Sequence, residues 1–461
     1  EPVFDHAFIA EHTDGMDDYL AEVDATSWER IETQSGLSRG VIEHAARIHR
    51  DSKRVIICWA MGITQHKHSV PTIQEIANLQ LLRGQFGEGA GLCPVRGHSN
   101  VQGDRTVGIA DEPPAALLDA LEKRFGFQPP REPGYNVITT LQAMVARKLK
   151  VFLALGGNFA QATPDTPRTH EALRSCELTV QISTKLNRSH LVCGTEALIL
   201  PCLGRTDIDR QAAGPQGVTV EDSFSMVHIS HGQLKPLSEQ MRSEPAIIAG
   251  IAEATLGKAP VDWSDLVADY DRIRDLIQDT IPGFENFNER LKHPGGFYLG
   301  NPARDRQWHT ASGRARLARN PLPGSLVDDA ILARGEEPDL VLQTLRSHDQ
   351  YNTTVYGLHD RYRGVHGERK VVFANRADIQ RLGFRPGDKI DLVSLWRDGV
   401  ERRVSDFTLL EYDVPAGQAA AYYPETNPLV PMDSYGDGSF TPTSKLIAIR
   451  LEKNSAPARI A

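Results

Sequence analysis

The sequence predicts an α/β protein in which parallel sheets are followed by a C-terminal β-barrel domain. Three observations carry this. Helix-patterned and strand-patterned segments alternate from residue 38 to residue 201, the order that βαβ units and a parallel sheet require. A glycine pair with Asn158 closes one of those strand segments, at the carboxyl end where ligands of such sheets bind. From Asp339 onward the texture changes to short β-rich runs separated by turn signals, which argues a compact barrel-like unit.

The elements follow in order. Thr26 with Glu29 fits a capping box, so "SWERIETQS" starts a short helix. A second helix begins near Ser38, with Val41, Ile42, Ala45, Ala46 and His49 at helical spacing. "KRVIICWA" then reads as a buried strand. Ile73, Ile76, Ala77, Gln80 and Leu81 trace a helix stripe that Gly84 stops. After a proline-rich loop (Pro113, Pro114, Pro129, Pro130, Pro133), helix "VITTLQAMVARK" leads into the buried strand "VFLAL", helix "TPRTHEALRSC" into strand "LTVQIS", and "ALILP" is a third strand. Residues 204–232 are polar and punctuated by glycine, which predicts a long surface excursion. "SEPAIIAGIAEATLG" is a helix with Ser243 as cap and a proline in its first turn, and residues 282–338 bridge to the barrel. "LVLQTL", "KVVFA", "KIDLVSL", "RRVSDFTL", "QAAAYYP" and "LIAIRLE" are the barrel strands.

Composition narrows the functional class. Lys and Arg total 51 against 60 acidic residues, a net charge of −9, which lacks the basic footprint of a nucleic-acid binder. The longest apolar runs, such as residues 55–61, are too short to cross a bilayer. The five cysteines, Cys58, Cys93, Cys176, Cys193 and Cys202, hold no CxxC pair. An odd, scattered set predicts reduced thiols and a cytoplasmic location rather than a disulfide framework or a metal cluster. At 461 residues the chain is expected to hold about three domains.

The residues most suited to chemistry lie in loops after predicted strands or helices. "PVRGHSNVQGD" (residues 94–104) turns backbone N–H groups and the Arg96 guanidinium toward one point, which suits a phosphate ligand and equally fits an ordinary turn. Gly156, Gly157 and Asn158 let a ligand approach the backbone, with an amide donor and acceptor alongside. Arg346, His348, Gln350, Asn352 and Thr353 form a dense polar set after the first barrel strand. Asn427, Ser444 and Lys445 are lesser candidates, as are Arg361 and Arg363. His66 and His68 form an H-x-H, too few ligands for a metal site.

Taken together, "WAMGITQHKHSVPTIQEIANLQLLRGQFGEGAGL", "PVRGHSNVQGD", "KVFLALGGNFAQATPD", "LQTLRSHDQYNTTVYG" and "NRADIQRLGFRPGDKIDLVS" resemble the C-terminal part of formate dehydrogenase-like molybdopterin oxidoreductases of the dimethyl sulfoxide reductase superfamily. That resemblance implies residues 1–60 as the tail of an α/β domain begun upstream, 61–190 as a Rossmann-like domain binding a pterin guanine dinucleotide, 191–338 as an α/β and connecting segment, and 339–461 as a six-stranded double-psi barrel. It implies bis-molybdopterin guanine dinucleotide with molybdenum or tungsten, a small-molecule substrate and an electron-transfer partner. An upstream portion is expected to complete the pterin cleft and, where the family has them, to supply the metal's side-chain ligand and a [4Fe-4S] cluster. On the matching positions, the cofactor contacts are Arg96, Gly97, Asn100, Gln102, Gly103, Gly156, Gly157, Asn158, Gln181, Ser183, Lys185, Arg346, His348, Gln350, Asn352, Thr353, Asn427 and Lys445; Gln65 and His66 lie near the metal-facing end as catalytic candidates. "RGHSNVQG" departs from the family's "RGQNNVQG" at His98 and Ser99. Gln74 stands where formate dehydrogenases of this type carry an arginine able to pair with a carboxylate, which argues against formate as substrate. The residues also admit a catalytically inert homologue serving as a scaffold, and a simple nucleotide-binding α/β protein.

Overall fold

The computed structural model describes residues 3–257, 259–325, 337–348, 350, 351 and 357–454. The architecture is mixed α/β, with small parallel sheets packed against a closed six-stranded barrel. Helix α1 (His6–His12) is capped by Asp5 and buries Phe8 and Ile9. Trp28–Ser35 is helical as expected, but its cap is Ser27, whose side chain accepts from the Arg30 N–H at 3.3 Å. Thr26 instead donates to the Glu22 carbonyl and closes the preceding helix. Helix α2 (Arg39–Asp51) leads to β1 (Ile56–Trp59), which pairs in parallel with an unforeseen strand, β2 (Gly91–Pro94). The strand expected to be buried is half-open, since only one neighbour covers it. Between them α3 (Ser69–Leu82) buries Asn78, Gln80, Leu81 and Leu82. The proline-rich stretch also contains a helix, Ala115–Phe125, set off by Pro114 before it and Gly126 after it.

Helix α4 (Val137–Val145), β3 (Val151–Leu155), α5 (Thr166–Arg174), β4 (Leu178–Ser183) and β5 (Glu196–Pro201) follow the predicted order, and β3, β4 and β5 form a parallel sheet in that sequence. Only β4 is buried along most of its length. Val180 and Ile182 are covered by Ile247, Ile248 and Ile251 of α6 (Glu244–Leu256). That cover does not extend over β3, so Val151, Leu153 and Leu155 are exposed where a buried strand was expected. The anticipated surface excursion is largely β-structure: β6 (Gly217–Glu221) and β7 (Met226–His231) pair antiparallel, and Phe297–Tyr298 extends the sheet. Val218 and Val220 in β6 and Val227 and Ile229 in β7 do alternate with polar residues, but the flanking glycines at 214, 217 and 232 make the segment read as a loop. The bridging segment turns back, with Ala315–Arg316 pairing in parallel with Thr13–Asp14.

The barrel strands are β8 (Leu340–Leu345), β9 (Val371–Ala374), β10 (Lys389–Ser394), β11 (Arg402–Glu411), β12 (Gln418–Tyr422) and β13 (Ile447–Lys453), with α7 (Arg376–Arg381) between β9 and β10. They close in the order β8, β12, β9, β11, β10, β13. β8 runs parallel to β12 and β9 to β11, while the other contacts are antiparallel. Closure removes the free edges that would otherwise recruit foreign strands. Inward residues at alternate positions, among them Leu340, Leu342, Ile390, Leu392, Phe407, Leu409, Ile447 and Ile449, fill its core.

Barrel and sheet are joined by a buried ion pair. Arg402 on β11 donates from Nε and Nη2 to one oxygen of Asp165 at 3.1 and 2.8 Å, and both side chains are 2 % exposed. Asp398 takes the rest of the guanidinium, at 3.0 and 2.7 Å. Asn427 donates to the Gln161 and Thr163 carbonyls, while its own carbonyl accepts from the Asp165 N–H. Removing one partner strands the other charge without water. Arg402→Leu is therefore expected to lower unfolding free energy by about 3–5 kcal/mol, and the double change Asp165→Leu/Arg402→Leu by less. Urea denaturation monitored by far-ultraviolet circular dichroism checks this; a single variant no less stable than the double one contradicts it.

Candidate functional site

A cavity of about 450 Å³ lies where the α/β layer meets the barrel, lined by Met61, Gln65, Arg105, Asn136, Phe159, Arg346, Tyr423, Asn427, Ser444 and Lys445 among others. This falls in the range of small-molecule sites, roughly 300–1,000 Å³. Each wall comes from a loop that regular structure holds in place. The turn after β1 is tied to the barrel, because the Lys445 N–H donates to the Gln65 carbonyl at 3.2 Å and the Asp437 N–H to that of Lys67 at 2.9 Å. Asn136 caps α4, accepting from the Ile138 and Thr139 N–H groups. Tyr423 follows β12 and donates to the Ala162 carbonyl at 3.1 Å.

The cavity is cationic. Among the described residues that line it, Arg105, Arg346 and Lys445 are cations and there is no carboxylate. Arg346 sits 5.3 Å over the Tyr423 ring. The Lys445 ammonium donates to the Thr344 carbonyl. Burial, reinforced by Arg346 and Arg363, pushes its pKa down from 10.5 to about 8. Burial also lowers the pKa of His66, with the nearby Lys445 charge adding to it, although the ring's hydrogen bond to the Gly62 carbonyl opposes the shift. An anionic ligand would relieve the repulsion among these cations.

The structure gathers some of the expected residues here and sends others elsewhere. Gln65, Arg346, Asn427 and Lys445 line the cavity. His66 is adjacent, bonded within its own turn. Gly156 and Gly157 have φ of 72° and 78°, a left-handed turn at the end of β3 that glycine adopts without strain. Asn158 is buried and turned inward to Gln161 and Ser189 rather than outward to a ligand. Gln181 is buried in β4 with its Nε2 lacking a partner. Ser183 donates to the Lys185 carbonyl, and Lys185 is exposed. Gln350 is engaged by Arg369 and by the Tyr423 carbonyl, and His348 stacks edge-on with Tyr362. Asn352 and Thr353 lie outside the described residues. Gln74 is exposed on α3 and does not line the cavity.

The "RGHSNVQGD" loop stands apart from this cavity except through Arg105, just beyond it. Arg96 and Gly97 are exposed, and the Arg96 N–H donates to Ser223. Asn100 reaches into a second cavity of about 630 Å³, walled by Leu155, Ile248, Trp263 and Leu266. Its carbonyl accepts from the Glu221 N–H, while its amide donates to Asp104. Gln102 and Thr106 hydrogen-bond the Glu221 carboxyl, whose pKa burial nevertheless raises. A β-carbon on Gly103 would stand 2.1 Å from the Asn100 side-chain oxygen and 3.2 Å from the Glu221 β-carbon, so a larger residue would have to displace the Asn100 side chain. Arg105, Asn136 and Tyr423 were missed by sequence reading; the asparagine before a helical stripe reads as a cap, and nothing local signals that it also faces a ligand cavity.

No protein-family model matches the sequence. An uncharacterized oxidoreductase of Mycobacterium tuberculosis is 50% identical over 457 residues, covering 98% of this chain and 58% of the relative. Formate dehydrogenase H of Escherichia coli is 28% identical over 190 residues, 39% of this chain and 27% of its own. Acetylene hydratase from Pelobacter acetylenicus shares the fold, with a TM-score of 0.64 at 16% identity over 98% of this chain and 68% of its own. The chain thus spans little more than half the length of the oxidoreductase it matches end to end. No helix among the described residues is long and apolar enough to cross a membrane.

Two outcomes follow from the geometry. Because the Lys445 pKa lies below its unfolded value, the unfolded chain binds more protons between about pH 8 and 10.5, and folding stability rises with pH across that window. Wild type is therefore expected to gain on the order of 2 kcal/mol relative to Lys445→Met from pH 7 to 10; parallel urea midpoints across pH contradict it. Gly103→Ala is expected to cost about 1–3 kcal/mol by overpacking, read as a lowered melting temperature.

Proposed function

We propose that this chain is the C-terminal part of a molybdenum or tungsten oxidoreductase of the formate dehydrogenase-like kind, whose cavity between sheet and barrel holds a molybdopterin guanine dinucleotide. The carrying observation is that cavity: cations with no carboxylate among the described lining residues, beside the Gln65 and Asn136 side chains, suit the phosphates and many acceptor atoms of such a group. The two parallel pairs among the barrel strands support a double-psi arrangement, and the parallel sheet of β3, β4 and β5 supports a Rossmann-like one. The reading divides the chain near residues 60, 190 and 338, as the resemblance implies.

When bound, the metal and pterin supply two-electron redox chemistry to a small substrate. The chain's own residues bind and orient. Arg346 and Lys445 hold anionic groups in a partly dry cleft, where charge attraction exceeds its value in water. Gln65, on a turn fastened to the barrel, presents an amide, and burial and Lys445 disfavour the charged form of His66. Among the described residues no three His, Cys, Asp or Glu side chains cluster as a metal site. An electron-transfer partner belongs to the same reading.

Molybdenum, tungsten and pterin content of the natural full-length protein test it; absence of all three after expression in a cofactor-producing host overturns it. Arg346→Met and Lys445→Met are each expected to reduce retained pterin roughly tenfold, the loss of one charge-assisted contact. Gln74 lies outside the cavity, so Gln74→Arg is expected to leave both pterin content and formate turnover unchanged. A gain in formate oxidation would show that Gln74 reaches the substrate after all.

A further inference from the structure

We propose that Cys58 and Cys93 form a redox-active dithiol that small peroxides convert to a disulfide across β1 and β2. Cys58 and Cys93 are register partners in a parallel strand pair. Neighbouring strands lie about 4.7–4.9 Å apart, inside the roughly 4.4–6.8 Å between α-carbons that a disulfide spans. Register partners project to the same face of a sheet, so the two side chains lie beside each other; burial raises the Cys93 pKa and the neighbouring Cys58 adds to the shift. Cys58 is exposed and Cys93 buried, so one thiol meets an oxidant in solution while the other waits behind it. The remaining cysteines are arranged differently: Cys176 and Cys193 donate to the backbone carbonyls of Ala172 and His190, and Cys202 is buried against the isoleucines of α6.

The reaction balances with hydrogen peroxide as oxidant. The Cys58 thiolate attacks one peroxide oxygen, forming a sulfenic acid and releasing hydroxide, which takes up the proton the thiol had lost to become water. The Cys93 sulfur then attacks the Cys58 sulfur; the S–S bond forms, and the hydroxyl departs with the Cys93 proton as a second water. Two electrons leave the thiols and reduce one peroxide. The bond would clamp the two strands whose carboxyl ends feed Gln65 into one cavity and Asn100 into the other. This inference stands on the strand pair alone, whether or not a pterin binds.

The test treats the reduced chain with hydrogen peroxide, alkylates the remaining thiols with iodoacetamide, and maps peptides by mass spectrometry. A peptide pair joined through Cys58 and Cys93, lighter by two hydrogens, is expected, with both alkylation labels lost and both restored by dithiothreitol. Cys58→Ser removes the crosslink at an exposed position, with circular dichroism confirming the fold. The unsubstituted chain is decisive by itself. Cys58 oxidised to sulfinic acid while Cys93 remains a thiol, or two chains linked through Cys58 on a non-reducing gel, would overturn the proposal.

Discussion

The joint between sheet and barrel depends on one buried charge pair. Asp165 caps α5 from a left-handed backbone conformation and meets Arg402 of β11 out of contact with water. Isolating either charge at such a site is costly, so the pair is stable only when α5 and the barrel stand at one relative position. Asn427, the Tyr423 hydroxyl and the Met432 N–H add directional bonds to the same turn. Met432 also packs into the cluster of Leu141, Met144, Ala172 and Cys176. Ion pair, amide bonds and apolar contact all specify one docking geometry.

That geometry creates the cavity. Arg346 and Lys445 belong to the barrel, Arg105 and Gln65 to the α/β layer, and only docking brings them together. Docking also buries Lys445, and that burial, with repulsion from Arg346 and Arg363 adding to it, lowers its pKa from 10.5 to about 8. With no carboxylate among the described lining residues, an anion bound there would offset the repulsion that Arg346 exerts on Lys445. The same docking fastens the Gln65 turn through its backbone carbonyl, leaving the side-chain amide to face the cavity.

Periodicity made most of the elements legible. The helices beginning at Arg39, Ser69, Val137, Thr166 and Glu244 and all six barrel strands stand where the pattern of apolar residues put them, because each has enough length for its period to show. The strand at Gly91–Pro94 escaped notice because four residues show no period, and the hairpin of β6 and β7 because its alternating residues lie between glycines that read as a loop. Burial was less legible than element type. "VFLAL" is as apolar as any core strand, yet Val151, Leu153 and Leu155 are open, since what covers a strand depends on which helix crosses it.

Candidate residues divided along the same physical line. Backbone demands are local, so the left-handed glycines at 156 and 157 could be read from sequence as special positions, whereas the crowding at Gly103 comes partly from Glu221 of another segment. Side-chain direction is not local: Asn158 and Gln350 turned to hydrogen-bond partners within the protein, Gln74 pointed to solvent, and Arg105 and Tyr423 entered the cavity unannounced. The order of helices and strands and the turn at Gly156 and Gly157 follow from neighbours in the chain and were legible there. Which polar groups converge, and how far a lysine's proton is loosened, was decided by the tertiary structure, because desolvation and charge repulsion depend on distances between segments as far apart as Gln65 and Lys445.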